Sequence, residues 1–142
     1  MKHVIIGIIG AGRIGKLHAD NLLKRVDSVQ LKAITDPYLD EAWTSSLNIP
    51  LTGRDHRFML DDPTIDAILI CSPSKEHAQQ MIECAQAGKH IFCEKPIALD
   101  PNIIQNALTE VEKSGVKLQV GFNRRFDPNF AAVRKQVTSG AL

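Results

Sequence analysis

The segment Val4-Ile5-Ile6-Gly7-Ile8-Ile9-Gly10-Ala11-Gly12-Arg13-Ile14-Gly15 decides the fold that this 142-residue sequence predicts. Its apolar first half is rich in branched residues, which is typical of a strand buried on both faces. The strand leads into the pattern G-x-G-x-x-G at Gly10, Gly12 and Gly15, and apolar residues at helical spacing follow. A glycine turn between a strand and a helix is the setting of a dinucleotide-binding fingerprint.

Each residue of this turn has a physical reason to be there. Gly10 makes the tight turn, Gly12 lets a pyrophosphate approach the backbone, and Gly15 lets the helix pack close to the strand. The amides around Arg13 and Ile14 are expected to face the phosphates at the positive end of the helix dipole. The sequence therefore predicts that these five residues hold a pyrophosphate.

An acidic residue at the end of the second predicted strand supports this interpretation. Residues 31–35 form that strand and Asp36 ends it, about 20 residues after Gly15, which is the separation of an acid that bonds an adenosine ribose. Because the carboxylate would also repel a 2′-phosphate, Asp36 favours NAD over NADP. The alternative is that Asp36 only opens a turn before Pro37.

Composition excludes several other classes of protein. A chain with 44% hydrophobic and 23% charged residues is ordinary for one soluble domain. The net charge of +1 gives no electrostatic reason to expect nucleic acid or an anionic membrane as partner. No apolar run approaches the roughly 20 residues that span a bilayer, and no signal peptide is expected, so the predicted location is the cytoplasm. Three unevenly spaced cysteines fit neither a disulfide framework nor a metal site.

Six predicted strands alternate with helices along the chain. The strands are expected at residues 4–9, 31–35, 50–52, 65–71, 90–93 and 116–122. This alternation predicts an α/β, Rossmann-type doubly wound parallel sheet with strand order 3-2-1-4-5-6 in a single domain. The last helix follows Asp127-Pro128 and is expected to turn Phe130, Val133 and Val137 inward.

Polar residues follow several of these strands directly. They are the glycine turn, Asp36, Ser72, Glu94-Lys95-Pro96 and residues 121–125. Because the carboxyl ends of parallel strands meet at one edge of the sheet, we expect these groups to converge on one crevice.

The segment Ala87-Gly88-Lys89-His90-Ile91-Phe92-Cys93-Glu94-Lys95-Pro96 resembles the signature of the glucose–fructose oxidoreductase, inositol dehydrogenase and rhizopine catabolism (Gfo/Idh/MocA) family. Ser72-Pro73, with His77 shortly after, is similar to the preceding strand and helix of that family. Residues 121–128 look most like the myo-inositol 2-dehydrogenases within it.

The resemblance implies an NAD-dependent dehydrogenase that transfers a hydride between a polyol or sugar hydroxyl and NAD. Lys95 would be the catalytic lysine that hydrogen-bonds the substrate hydroxyl, in a turn whose Lys-Pro bond is often cis in the family. The resemblance also implies a set of residues that border the nicotinamide half or the substrate: Ser72, His77, Glu94, Asn123 and Arg124.

The sequence departs from the family in one respect. Family members are much longer, and a second domain supplies an Asp and a His that complete the active site. None of the five histidines here follows an Asp by four residues. The expectation is that residues 1–142 are the NAD-binding domain, cut off before the substrate domain and without the general base.

Other interpretations stay open at this point. The chain could be a non-catalytic NAD-binding sensor or partner module, or an enzyme whose other half comes in trans. Lys95 could be a solvated lysine at a strand end, and His77 could simply occupy the first turn of its helix. His18 is expected to be a packed histidine, and Arg124-Arg125 could be a solvated pair. Apolar surface near residues 122–130 is expected to be exposed or used in a homo-oligomer.

Overall fold

A parallel sheet organises the computed structural model, which describes residues 3–141. Its six strands within those residues are β1 (Val4–Ile9), β2 (Val29–Thr35), β3 (Leu51–Gly53), β4 (Ala67–Ile70), β5 (His90–Cys93) and β6 (Leu118–Val120). They lie in the order β3-β2-β1-β4-β5-β6, and every neighbouring pair is parallel. The predicted doubly wound fold and strand order are therefore confirmed.

Helices connect the strands across both faces of the sheet. They are α1 (Arg13–Arg25), α2 (Glu41–Ser46), α3 (Arg57–Asp61), α4 (Ser74–Gln86), α5 (Pro101–Ser114) and α6 (Pro128–Thr138), with a short 3-10 helix at Asn123–Phe126. Local sequence sets the ends of α5: the Asp100 side chain accepts a hydrogen bond from the Asn102 amide, and Gly115 ends the helix with a left-handed φ of 70°.

The core lies in two layers, one on each side of the sheet. Strand residues Ile8 and Ile34 pack with Ala19 of α1 in the first layer. Ile68 and Ile70 pack with Met81 of α4 in the second. Successive side chains of β1 face opposite sides and both are buried, which explains why the strand is apolar throughout rather than alternating.

The fourth and sixth strands, and the segment after the sixth, differ from the prediction in detail. Strand β4 covers only Ala67–Ile70 and β6 only Leu118–Val120, so both are shorter than expected. The chain after β6 forms the 3-10 helix Asn123–Phe126, which the apolar pattern gave no reason to expect. Both strands still end within a few residues of the predicted polar segments, so the convergence at the sheet edge is preserved.

The orientation predicted for α6 is wrong. Phe130, Val133 and Val137 are 52%, 57% and 57% exposed, and no residue of α6 is buried. The helical spacing correctly marks one apolar face, but this face is not buried: its Phe130 ring is covered only in part, by the Arg124 guanidinium 5.0 Å from the ring centroid. Phe122 and Phe126 are exposed beside them, and we call these five side chains the α6 strip.

No helix within residues 3–141 is long and apolar enough to cross a membrane.

We predict that the α6 strip binds a hydrophobic dye and drives self-association of the 142-residue chain, because exposed apolar surface is hidden when two copies meet. The double substitution Phe126→Ser with Phe130→Ser should lower both dye fluorescence and the mass measured by analytical ultracentrifugation. Leu99→Ser is the control, since Leu99 is 92% exposed and lies outside the strip. A chain that stays monomeric at high concentration and binds no dye would contradict the prediction.

Candidate dinucleotide-binding site

The glycine turn after β1 is pressed against the ends of the neighbouring strands. Gly10 has φ +95°, a conformation that L side chains rarely adopt, and a Cβ there would lie 2.5 Å from the Ser72 nitrogen. The Gly10 amide donates to the Thr35 carbonyl oxygen over 2.7 Å. Only glycine fits this turn, because both the backbone conformation and the available space exclude a side chain.

The other two glycines of the fingerprint differ in their surroundings: Gly15 is crowded and Gly12 is open. A Cβ at Gly15 would lie 1.9 Å from the Gly10 carbonyl oxygen, so α1 can pack against the turn only with glycine there. A Cβ at Gly12 would meet no atom within 4 Å. Gly12 therefore borders open space, and its missing side chain leaves the backbone accessible from outside.

The amino terminus of α1 provides the conditions for binding an anion. Gly12 occupies the N-cap position, and among the described residues no side chain caps the helix there. The first turn contains no acidic residue, and the thirteen-residue helix ends with Lys24 and Arg25. The first-turn amides and the positive end of the helix dipole therefore face the open space beside Gly12.

Asp36 ties the end of β2 to the glycine turn. Its Oδ2 accepts a hydrogen bond from the Ala11 amide over 2.7 Å, and its Oδ1 accepts one from the Tyr38 amide over 2.8 Å. An ionised carboxylate has about four acceptor positions, so two backbone donors leave capacity for ribose hydroxyls. The turn alternative is also correct in part, because the Tyr38 bond is an Asx-type turn across Pro37.

A cavity of about 630 Å³ joins these elements at the carboxyl edge of the sheet. Six of the predicted site residues line it: Gly10, Gly12, Arg13, Ile14, Asp36 and Ser72. The lining also includes residues that sequence reasoning did not single out, among them Tyr38, Arg54, His56, Glu76 and Gln80. Arg54 directly follows β3, so the rule applied to the other strand ends could have found it.

Ser72 is held by one of these additional residues. Its hydroxyl donates to Oε1 of Gln80 over 2.6 Å, and Gln80 is itself buried on α4. This bond fixes the hydroxyl at the end of β4, on the wall of the cavity. Gln80 lies two turns into α4, so only the folded helix brings it back to Ser72.

His77 is buried behind the cavity rather than in its wall. The residue is 1% exposed, its Nδ1 lies 2.8 Å from the Pro96 carbonyl oxygen, and its Nε2 lies 2.7 Å from the Ser72 carbonyl oxygen. The ring links the loop after β4 to the turn after β5, which is the structural interpretation of a histidine in the first turn of its helix. The contact with the cofactor that the family resemblance implies for His77 stays a prediction.

Lys95 lies in a second, smaller recess. Its cavity of about 250 Å³ is lined by Lys95, Phe122, Asn123 and Arg124, and the Lys95–Pro96 peptide bond is cis. The structure thus brings the predicted catalytic lysine together with Asn123 and Arg124, but separates the three from the larger cavity. Glu94 lines neither cavity; its carboxylate lies between them and is hydrogen-bonded to His18.

The cysteines offer no reactive group at this edge. Burial raises the pKa of the Cys71, Cys84 and Cys93 thiols to about 12, so each is protonated at neutral pH. Within residues 3–141 no three His, Cys, Asp or Glu side chains are grouped so that they could hold a metal ion.

Comparison with known proteins identifies similar chains. The profile of the Gfo/Idh/MocA family, described as an oxidoreductase family with an NAD-binding Rossmann fold, matches residues 4–122. The oxidoreductase YrbE of Bacillus subtilis is 48% identical over 99% of this chain. The myo-inositol 2-dehydrogenase of Thermotoga maritima is 40% identical over 96% of it.

A solved structure has the same fold and carries ligands. The scyllo-inositol dehydrogenase of Lactobacillus casei, with NAD(H) and scyllo-inositol bound, superimposes on 99% of this chain with a TM-score of 0.89 and 36% identity. The chain spans 42% of the length of YrbE, 41% of the Thermotoga maritima enzyme and 42% of the Lactobacillus casei chain.

We predict that two alanine substitutions in the glycine turn lower stability to different extents. Gly12→Ala should change the free energy of unfolding by about 1 kcal/mol or less, because its Cβ has room and only the N-cap preference is lost. The methyl group should nevertheless weaken NADH binding. Gly15→Ala should destabilise the chain by about 1–3 kcal/mol or more, because its Cβ overlaps backbone. Urea unfolding and calorimetry with NADH measure the two effects. Equal destabilisation by both substitutions would contradict this interpretation.

Proposed function

Since this chain belongs to the Gfo/Idh/MocA oxidoreductase family, with an NAD-binding Rossmann fold, we propose that it is the cofactor-binding half of an NAD-dependent polyol dehydrogenase. The observation that carries the proposal is the open backbone at Gly12, with uncapped amides of α1 on one side and the Asp36 carboxylate on the other. A side chain at Gly12 would fill the space that a pyrophosphate requires.

NAD would lie along the carboxyl edge of the sheet. In this proposal Gly10, Gly12, Arg13, Ile14 and Gly15 hold the pyrophosphate, and Asp36 accepts hydrogen bonds from the adenosine ribose. Ser72, placed by Gln80 at the end of β4, borders the nicotinamide half. The sheet order sets the direction in which NAD would lie: its adenosine half at Asp36, on the β2 side of the glycine turn, and its nicotinamide half at Ser72, on the β4 side.

The proposed reaction takes place next to the smaller recess. NAD, when bound, accepts a hydride from the carbon that carries the reacting hydroxyl. Lys95 would donate a hydrogen bond to that hydroxyl oxygen, with Asn123 and Arg124 beside it. We propose a polyol or sugar of the inositol type as substrate, because relatives at 40% and 36% identity are named as inositol dehydrogenases.

Two further assignments are part of the proposal. We assign the protein to the cytoplasm, where NAD-dependent polyol oxidation takes place and where three unpaired thiols stay reduced. We also propose that copies of the chain associate through the α6 strip, whose five apolar side chains are exposed.

We predict that the chain binds NAD at least about tenfold more tightly than NADP, because Asp36 repels a 2′-phosphate. Asp36→Asn keeps an oxygen for the backbone amides and removes the charge, so the ratio of the NADP to the NAD dissociation constant should fall. Asp20→Asn, which removes a charge from the exposed surface of α1, is the matched control. Calorimetry with both cofactors measures the ratio, and equal or tighter binding of NADP by the unaltered chain would refute the role of Asp36.

We also predict that the 142-residue chain alone has no appreciable dehydrogenase activity. A protonated lysine is a poor base, and no Asp-x-x-x-His element exists in the sequence. Loss of a general base costs a factor of roughly 10²–10⁴, and loss of substrate positioning can raise the barrier by roughly 7–11 kcal/mol. NADH formation with myo-inositol and related polyols is the assay. Ordinary turnover that is abolished by Lys95→Ala would show that the chain carries its own base.

A further inference from the structure

The Glu94 carboxylate is held from two sides. Its Oε1 lies 2.9 Å from Nε2 of His18 on α1, and its Oε2 accepts a hydrogen bond from the Lys95 backbone amide over 3.2 Å. The two side chains are only 24% and 18% exposed, so the contact is largely shielded from water. Hydrogen bonds to an ionised carboxylate are shorter and stronger than those between neutral groups.

The surroundings of this pair leave little freedom for either side chain. The His18 ring packs edge-on against Phe92, with ring centroids 5.3 Å apart and an interplanar angle of 66°. A Cβ at Gly121 would lie 3.1 Å from both the Glu94 carboxylate and the Phe92 ring. Because Gly121 has no side chain, Glu94 has room to reach His18.

The pair connects the two parts of the proposed site. His18 belongs to the helix whose first turn borders the cavity at Gly12, whereas Lys95 lies in the smaller recess with Asn123. Among the side-chain hydrogen bonds of residues 3–141, the one between His18 and Glu94 links α1 directly to the turn after β5. A displacement of α1 would thus move the Glu94 carboxylate and, with it, the Lys95 backbone amide that donates to it.

We propose that His18 is a positioning residue: through Glu94 it fixes the Lys95 turn relative to the helix that binds the cofactor. This inference rests on the proposed function, in which α1 holds the pyrophosphate and Lys95 contacts the substrate. The place of His18 on α1 predicts only that the ring packs in the fold; the proposal adds a role in holding the Lys95 turn. In this role the His18 ring donates through Nε2 to the Glu94 carboxylate.

Two substitutions separate hydrogen bonding from packing. His18→Phe keeps a ring against Phe92 but removes the donor. His18→Gln keeps a donor near the position of Nε2 and should restore the link. His90→Gln is the control, because His90 lies at the amino end of β5, away from the site, where its Nδ1 accepts a hydrogen bond from the Lys117 backbone amide.

The readout is hydrogen exchange at the Lys95 amide, measured by NMR on the 142-residue chain. His18→Phe should exchange about tenfold faster than the unaltered chain, because Glu94 is no longer held in place to accept from this amide. The Ile91 amide of β5, which donates to the Lys117 carbonyl oxygen just before β6, is the internal reference for global opening. His18→Gln and His90→Gln should exchange within about twofold of the unaltered chain.

Adding NADH tests the coupling itself. Binding at α1 should slow exchange at Lys95 in the unaltered chain and in His18→Gln, and should have much less effect in His18→Phe. Unchanged exchange at Lys95 in a folded His18→Phe chain would overturn the proposal. So would a rise matched by an equal rise at Ile91, since this would mean only a loss of stability.

One measurement needs no substitution. Nitrogen-15 shifts of the unaltered chain should show a proton on Nε2 of His18, and a ring protonated on Nδ1 alone would overturn the proposal even if His18→Phe did not fold. The proposed function fails separately, through an absence of NADH binding in calorimetry. In that case the exchange at Lys95 without NADH still decides whether His18 positions the turn.

Discussion

The structure depends on the close approach of the glycine turn to the ends of β2 and β4. At Gly10 a side chain would collide with the backbone at Ser72, and at Gly15 it would collide with Gly10 itself. Hydrogen bonds from the Gly10 amide to Thr35 and from the Ala11 amide to Asp36 hold the turn against β2. The same contacts leave Gly12 and the first turn of α1 facing open space, so the packing that builds the sheet edge also builds the site.

Polar contacts at this edge do more than line a cavity. His77 joins the loops after β4 and β5 through two carbonyl oxygens, and Glu94 joins the β5 turn to α1 through His18. Ser72 and Gln80 add a third link, between β4 and α4. Buried or half-buried polar groups of this kind are satisfied only in one arrangement of the strands, which gives the carboxyl edge a defined shape around two separate recesses.

The α6 segment leaves an apolar face exposed among the described residues. Phe130, Val133 and Val137 follow the periodicity of a packed helix face, yet all three are exposed among the described residues. The family relatives that the chain matches are more than twice its length, and 41–42% of each is covered.

The sequence by itself determined the sheet order, the glycine turn and the end-of-strand residues, because these follow from local rules: apolar strands, glycine where no side chain fits, and polar residues where strands stop. Gly10, Asp36 and Ser72 could be assigned to one cavity on that basis. Only the tertiary structure decided that Gln80 returns to Ser72, that His77 is buried behind the cavity, and that His18 meets Glu94. It also decided that α6 faces outward. The bond between His18 and Glu94 joins residues 76 positions apart, and Gln80 meets Ser72 only once α4 has formed. Hydrophobic periodicity specifies which face of an element is apolar but not which element, if any, covers it.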